Sequence, residues 1–522
     1  MPRLRSPEIT AVLRSPFFFL VLGYVIATAM RNPQALPLLF VSLALIPVVV
    51  IALRWPLASL ITMVALVPFI QMVQSWLWFH SWFPADAAAR LGYAKELVVV
   101  IALWRGWQQR PRPLPRLDRL AVLLLVIVGV YLVIPLGPSL SVRYVAARAN
   151  VGFIAVFLAA RWLAGDERLK LRAELLIPAV AVVVAALGIW NRLGPDAWSD
   201  WVDSTGIIHF RNEVMNAPTL GAVEKVPFGK SEIIRAGSVL FSPNDLAYFL
   251  LVVVALIGSR MVRRVALPWE PFIAAPCTLC VFYTFSRSAM GLFAVAGIVL
   301  AAASGRLSRG IGVIYGTVIA LVLVLVLLGT GDELASGANA SDQRTSGHIE
   351  ALQNGLTELI AHPQGKGLGT TGSTSVRFNT SGFQTENFYL HVGVEVGIVA
   401  GIAMVVFIVM VLRMLWRTAR ESGGLAIGAV AGLAAVAIGG LVLETFAELG
   451  TGWTLWLFVG LALPIAREPS SPYDAGPGGG EPARLEIGRE RRGNPALPAP
   501  GKALPPGRIG QQALDRGGKF AG

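Results

Sequence analysis

Four polar side chains crowd the start of a long apolar run, in Gln384-Thr-Glu-Asn-Phe-Tyr-Leu-His-Val-Gly-Val-Glu-Val-Gly-Ile-Val-Ala-Gly401. Polar groups at membrane depth are costly and usually have a task. If the segment is one helix, Asn387, His391 and Glu395 follow i, i+4, i+8 and share a face. Glu386 and His391 are side chains of this cluster able to take up or release a proton. Asn387 and Glu395 would orient them. Each also has a plainer role: Asn387 as an N-cap, Glu386 as a first-turn acid, His391 as a satisfied core histidine. Gly393, Gly397 and Gly401 repeat at the same spacing, one position off that face, so a second helix has room to approach.

Arginines form the second informative set. Arg235 precedes an apolar run broken by Ser242-Pro-Asn-Asp245. Such a break is tolerated at membrane depth only where the backbone is buried or lines a cavity, and it gives Asn244 an orienting role. Arg287 lies in the Ser286-Arg-Ser288 turn. Arg344 lies in a long loop just before an amphipathic stretch, Ser346 to His362. Arg143 and Arg148 begin another run on the same side. Arginine is always charged and donates paired hydrogen bonds, which suits a phosphate or pyrophosphate carried on a lipid. Interfacial snorkelling accounts for any one of them alone. Arg90, Lys95 and Glu96, inside another run, read as an ion pair that positions helices, and Glu444 and Glu448 as acids that orient the cations. The five histidines show no H-x-x-x-H spacing, and the outer acids have no D-x-D spacing. No metal site and no cofactor are expected.

The elements that must position these residues are membrane helices. The 522-residue chain is 55% hydrophobic and 14% charged, where soluble domains carry about 25% charge. Runs of spanning length occur near 15–30, 36–53, 57–74, 87–107, 119–136, 143–163, 174–191, 237–258, 268–285, 288–304, 311–329, 387–412, 424–443 and 450–466. The expectation is an all-α polytopic membrane protein with about 12–14 transmembrane helices. Arginine and lysine fall in alternate connections, such as 105–119, 168–172, 260–264 and 413–420. The short connections near 75–86, 137–142 and 445–449 carry none, which predicts both termini in the cytoplasm. The formal charge of +13 therefore reflects topology, and nucleic acid is not an expected partner. Two long outer loops, about 192–235 and 330–385, bracket the candidate residues; in the second, Pro363 to Gly372 is rich in glycine. Residues 1–466 form the membrane domain, and 467–522, rich in Pro, Gly and Arg, read as a disordered cytoplasmic tail. Cys277 and Cys280 lie in an apolar run and read as small packing residues.

Over about 85–465 the chain resembles the O-antigen ligase and O-antigen polymerase superfamily of bacterial envelope proteins. The resemblance is carried by Arg235 with Ser-Pro-Asn-Asp, by Ser286-Arg287-Ser288, and by Arg344 followed by the amphipathic stretch and Pro363 to Gly369. Asn387-x9-Gly397-x3-Gly401 completes it. It implies a metal-independent, inverting glycosyltransferase of the bacterial inner membrane. The implied donor is an undecaprenyl-pyrophosphate-linked oligosaccharide at the outer face; membrane lipids and a flippase or chain-length regulator are implied partners. Arg235, Arg287 and Arg344 would hold the pyrophosphate, and either Glu386 or His391 would act on the acceptor hydroxyl. The ligase pattern has His where this chain has Glu386, which is more like the polysaccharide-polymerase branch. An O-antigen ligase is the alternative within the class, and a transporter or exporter of a lipid-linked or anionic solute the alternative outside it.

Overall fold

The computed structural model describes residues 36–215, 221–228, 231–263, 267–305, 343–380 and 382–465. The expected spans at 15–30 and 311–329 and the tail from 467 lie outside them. Every other apolar run is helical. The chain begins with α1 (Leu36–Arg54) and α2 (Pro56–Phe79), separated where Pro56 takes the first helical position of α2. The run at 87–107 is two helices, α3 (Ala85–Leu91) and α4 (Ala94–Gln109). Then come α5 (Arg116–Val133), α6 (Leu140–Leu163) and α7 (Glu167–Leu193). Asp166 caps α7, accepting from the Arg168 amide at 2.8 Å.

The connection at 192–235 is not a loop, and it departs from an all-α fold. It holds α8 (Pro195–Thr205), closed by Gly206, and a short helical stretch through Val214. An antiparallel hairpin follows, β1 (Glu224–Phe228) and β2 (Ser231–Arg235), pairing Glu224 with Arg235. Three apolar helices come next: α9 (Pro243–Arg263), α10 (Glu270–Tyr283) and α11 (Arg287–Ala303). The amphipathic stretch is α12 (Gln343–Ala361), and a short α13 (Gly372–Arg377) follows the glycine-rich turn.

The expected continuous helix from 387 breaks at Gly397. It becomes α14 (Phe388–Val396) and α15 (Ile398–Glu421). Gly397 has φ +97°, a conformation open to glycine and strained for other residues. The chain turns so sharply there that a Cβ on Gly401 would lie 3.2 Å from the Gly393 Cα. The glycine spacing thus lets two halves of one segment pack together, and Leu359 of α12 covers Gly393 from the other side. The chain ends in α16 (Leu425–Gly439) and α17 (Leu449–Ala462).

Among the described residues, five helices are long and apolar enough to cross a membrane: α2, α6, α7, α9 and α15; α14 is not among them. Water exclusion does not drive apolar helices together inside lipid, so close packing must. Helix α17 is buried on all sides and lies along α6, where the Gly460 Cα faces the Phe157 carbonyl. An aromatic stack fills the centre, with Trp456 lying 5.2 Å from Phe407 at 13° and 5.1 Å from Phe153. Outer helices show lipid-compatible faces, such as Val399, Ile402 and Val406 of α15. The cysteines are buried, and Cys280 fits against Gly188 of α7.

Polar groups gather at the two ends. At the end with the arginine-rich connections, buried Asp118 accepts from Arg161 at 2.9 Å and from Trp162 at 2.7 Å, while Arg260 joins Glu174 and Glu270. The hairpin, the glycine turn and α14 share the opposite end.

Helix approach at Gly460 predicts a sensitive position. A Cβ there would lie 2.6 Å from the Phe157 oxygen and 2.7 Å from the Ala160 Cβ. Gly460→Ala should lower stability by about 1–3 kcal/mol, as overpacking does. Gly291→Ala, where a Cβ meets nothing within 4 Å, should be neutral or slightly stabilising. Thermal unfolding in detergent compares the two.

Candidate functional site

The geometry starts from α14. Asn387 caps the helix, accepting from the Leu390 amide at 3.0 Å, and its own amide group donates to the Leu441 carbonyl at 2.9 Å. It therefore fixes both the start of α14 and the connection after α16. One turn on, His391 is buried between two carboxylates. Its Nε2 lies 3.5 Å from Glu395 Oε2 and its Nδ1 3.4 Å from Glu444 Oε1. Glu395 also accepts from Asn150 Nδ2 at 2.7 Å and from the Gly369 amide at 2.8 Å. Glu444 accepts from the Ser373 amide at 3.1 Å and from Thr385 Oγ1 at 3.2 Å.

These bonds pin the glycine-rich turn. Lys366 and Gly367 donate their amides to the Val394 and Glu395 carbonyls, and Ile398 donates to Pro363. The turn passes so close that a Cβ on Gly372, at φ +72°, would lie 2.4 Å from His391 Nδ1. Burial alone would lower the His391 pKa, but Glu444 and Glu395 outweigh it and lift it to about 9. Burial likewise opposes ionisation of Glu444, but His391 and the Ser373 donors hold it down at about 2. The two carboxylates thus favour the imidazolium form of His391, which cannot take up a further proton.

Glu386 stands apart from this buried centre. Its backbone is left-handed, at φ +48°, and its side chain remains partly exposed. The carboxylate meets the ring of His348, on α12. The outer acid–histidine pair is thus Glu386 with His348, a partner that the sequence did not suggest.

Arg235 ends β2. It donates Nε to the Thr284 carbonyl at 2.7 Å, Nη1 to Glu224 at 2.7 Å and Nη2 to Asn244 at 3.1 Å. The broken Ser-Pro-Asn-Asp segment thus places Asn244 against the arginine. Ala236 donates to Tyr283, so the hairpin is docked on the turn that holds Arg287. In that turn Ser288 lies 3.2 Å from Ser286 and 3.1 Å from the Tyr248 hydroxyl. Arg287 itself is exposed. Arg344 lies in the first turn of α12, and its side chain is outside the described residues.

Several acids and bases take structural parts. Arg143 reaches the Leu132 and Ile134 carbonyls and closes the end of α5. Glu96 pairs with Lys95 at 3.3 Å and with Arg148 at 2.8 Å, so the ion pair on α4 does tie helices, through Arg148 of α6. Glu448 contacts Asp245, beside Arg211; burial first, and Asp245 next, push its carboxyl well up. Arg211 and Arg377 were absent from the sequence reading. They lie in helical segments of five and six residues, too short for periodicity to give a signal.

No protein-family model matches the chain, and no curated protein is similar to it.

The buried centre predicts a stability optimum. Glu444 contributes stability above its ordinary value of 4.5, lost as pH falls toward 2. His391 contributes stability below its ordinary 6.5, lost as pH rises through about 9. Thermal unfolding of the purified protein should peak between those ordinary values, and His391→Gln should remove the alkaline decline. Gly372→Ala should cost about 1–3 kcal/mol from strain and crowding, seen in the same scan.

Proposed function

We propose that the chain is a membrane-embedded, metal-independent glycosyltransferase acting on undecaprenyl-pyrophosphate-linked glycans at the outer face of a bacterial inner membrane. Polymerisation is the favoured reaction. The observation that carries this reading is the gathering of arginines, an accessible carboxylate and a pinned glycine turn at one end of an apolar bundle, opposite the arginine-rich connections.

In this reading Arg235 and Arg287, on one docked corner, and Arg344 at the head of α12 hold the donor pyrophosphate. Their charge lowers the barrier by stabilising the leaving diphosphate. Glu386 takes the proton of the acceptor sugar hydroxyl as that oxygen attacks the anomeric carbon and the bond to the diphosphate breaks. Attack opposite the leaving group inverts the anomeric centre. His348 orients Glu386. His391, already protonated and enclosed by Glu395 and Glu444, positions the turn and leaves the base role to Glu386. Asn387 fixes the helix start beside Glu386, and Asn244 aligns Arg235.

Cellular glycan profiles test the reading. Arg235→Ala and Arg344→Ala should shorten or abolish polymer, and Glu386→Gln should cut the rate by about 10²–10⁴-fold, the usual worth of a positioned base. Full-length polymer at normal protein levels in all three would end the proposal. Deletion separates the two reactions: a lost polymerase leaves single repeats, whereas a lost ligase leaves polymer on its carrier.

A further inference from the structure

Three arginines outside the set just discussed converge from separate parts of the chain. Arg148 belongs to α6, Arg211 to the helical stretch before the hairpin, and Arg377 to the last position of α13. Arg377 donates Nε to the Met215 carbonyl at 2.8 Å, which joins it to the segment carrying Arg211. Its own helix, α13, lies against α6, the helix of Arg148. The glycine turn and the Ser373–Glu444 bond hold α13 in place, so Arg377 is held by the backbone around it.

The charges here do not balance. Arg148 has Glu96, but Glu96 also serves Lys95. Arg211 has Gln71 as its hydrogen-bond partner, the Phe241 ring at 5.4 Å, and Asp245 with Glu448 nearby. Those two carboxyls are in contact, and two carboxyls so close share a proton, so they supply less than two charges. Arg377 has, among the described residues, no carboxylate partner; its hydrogen bonds go to Met215, and its face lies 5.1 Å from the Phe378 ring. Burial, then Arg148 and Arg211, bring its pKa down to about 10. The Nε atoms of Arg148 and Arg211 are buried and make no hydrogen bond. An orphaned, charged donor costs more than an ordinary one.

We infer that Arg148, Arg211 and Arg377 form a second anion site, built for a phosphate or diphosphate group. Guanidinium forks match phosphate oxygens in pairs. Like charges drawn together without a counter-ion destabilise the empty protein, and a ligand that relieves them gains that energy on binding. This inference deepens the proposed function, because a polymerase handles two carriers, each with its own diphosphate, and this site would seat the second. The same chemistry also fits a free inorganic anion.

The test uses the full chain in lipid nanodiscs and two probes, inorganic pyrophosphate and a prenyl diphosphate. Arg377→Met and Arg211→Gln should each weaken pyrophosphate binding about tenfold or more in calorimetry. Arg377→Met should also melt, without ligand, at the wild-type temperature or above, since it removes a repelling charge; a purely structural arginine would lower it. If that variant is poorly folded, Arg377→Lys keeps a charge without the fork and should still lose affinity. Tighter binding of the prenyl form marks a lipid-borne ligand, and equal binding a free anion. Wild-type protein that binds neither probe, or variants that bind as wild type does, would overturn the inference. Pyrophosphate carries no sugar, so this result is read apart from glycan transfer: binding weakened in Arg377→Met and Arg211→Gln supports the second site whatever the glycan profiles show, and full-length polymer in Arg235→Ala, Arg344→Ala and Glu386→Gln together ends only the transfer reading.

Discussion

A histidine enclosed by two glutamates holds together the polar end of this molecule. His391 lies on α14, Glu395 one turn further along, and Glu444 after α16. Through Glu395 the centre reaches Asn150 of α6 and the amide of Gly369; through Glu444 it reaches Ser373 and Thr385. Four separate segments thus share one buried network. Isolated, any of its charges would be prohibitively costly away from water. Together they offset part of that cost, and the backbone amides they engage belong to the glycine-rich turn and the start of α13. The pH behaviour of the centre follows from that mutual dependence.

That arrangement separates two kinds of polar group. His391, Glu395, Glu444, Asp118 and Arg161 are enclosed and matched, and they serve to fix helices. Glu386, Arg287 and the cluster around Arg377 are different. Glu386 is partly exposed, Arg287 is exposed, and the cluster around Arg377 carries charge that its described neighbours leave uncompensated. Groups of the second kind are the ones with energy to gain from a ligand. The rigid first set makes the second possible, since α13 and the Glu386 turn have few apolar contacts of their own and are held mainly by the network.

Much of the bundle was legible in the sequence because apolar length and arginine placement are direct consequences of a bilayer. The shared face of Asn387, His391 and Glu395, the helix break at Ser242-Pro-Asn-Asp245 and the ion pair at Glu96 also followed from spacing or from cost. The break at Gly397 did not, because a glycine at i+4 spacing reads equally as a packing stripe or as a hinge. Only the close approach of Gly401 to Gly393 decides between them. The hairpin was hidden for another reason. Its strands are five residues each and mix charged with apolar side chains, so they resemble ordinary loop. Arg377 and Arg211 were invisible because a lone arginine in a helix of five or six residues has no period to mark it.

The break at Gly397 also decides what the α14 residues can do. A straight helix from Asn387 would have carried His391 and Glu395 down among lipid-facing helices. The turn instead folds α14 back toward α12, with Leu359 on Gly393, and sends α15 on alone as the apolar span. Glu386 and its His348 partner then sit at the outer rim of a short helix, and the enclosed histidine lies one turn behind. In the proposed transferase, that separation assigns the two roles. The rim carboxylate can meet an acceptor hydroxyl, while the imidazolium, with both nitrogens facing carboxylates, holds the surface on which the acceptor would rest.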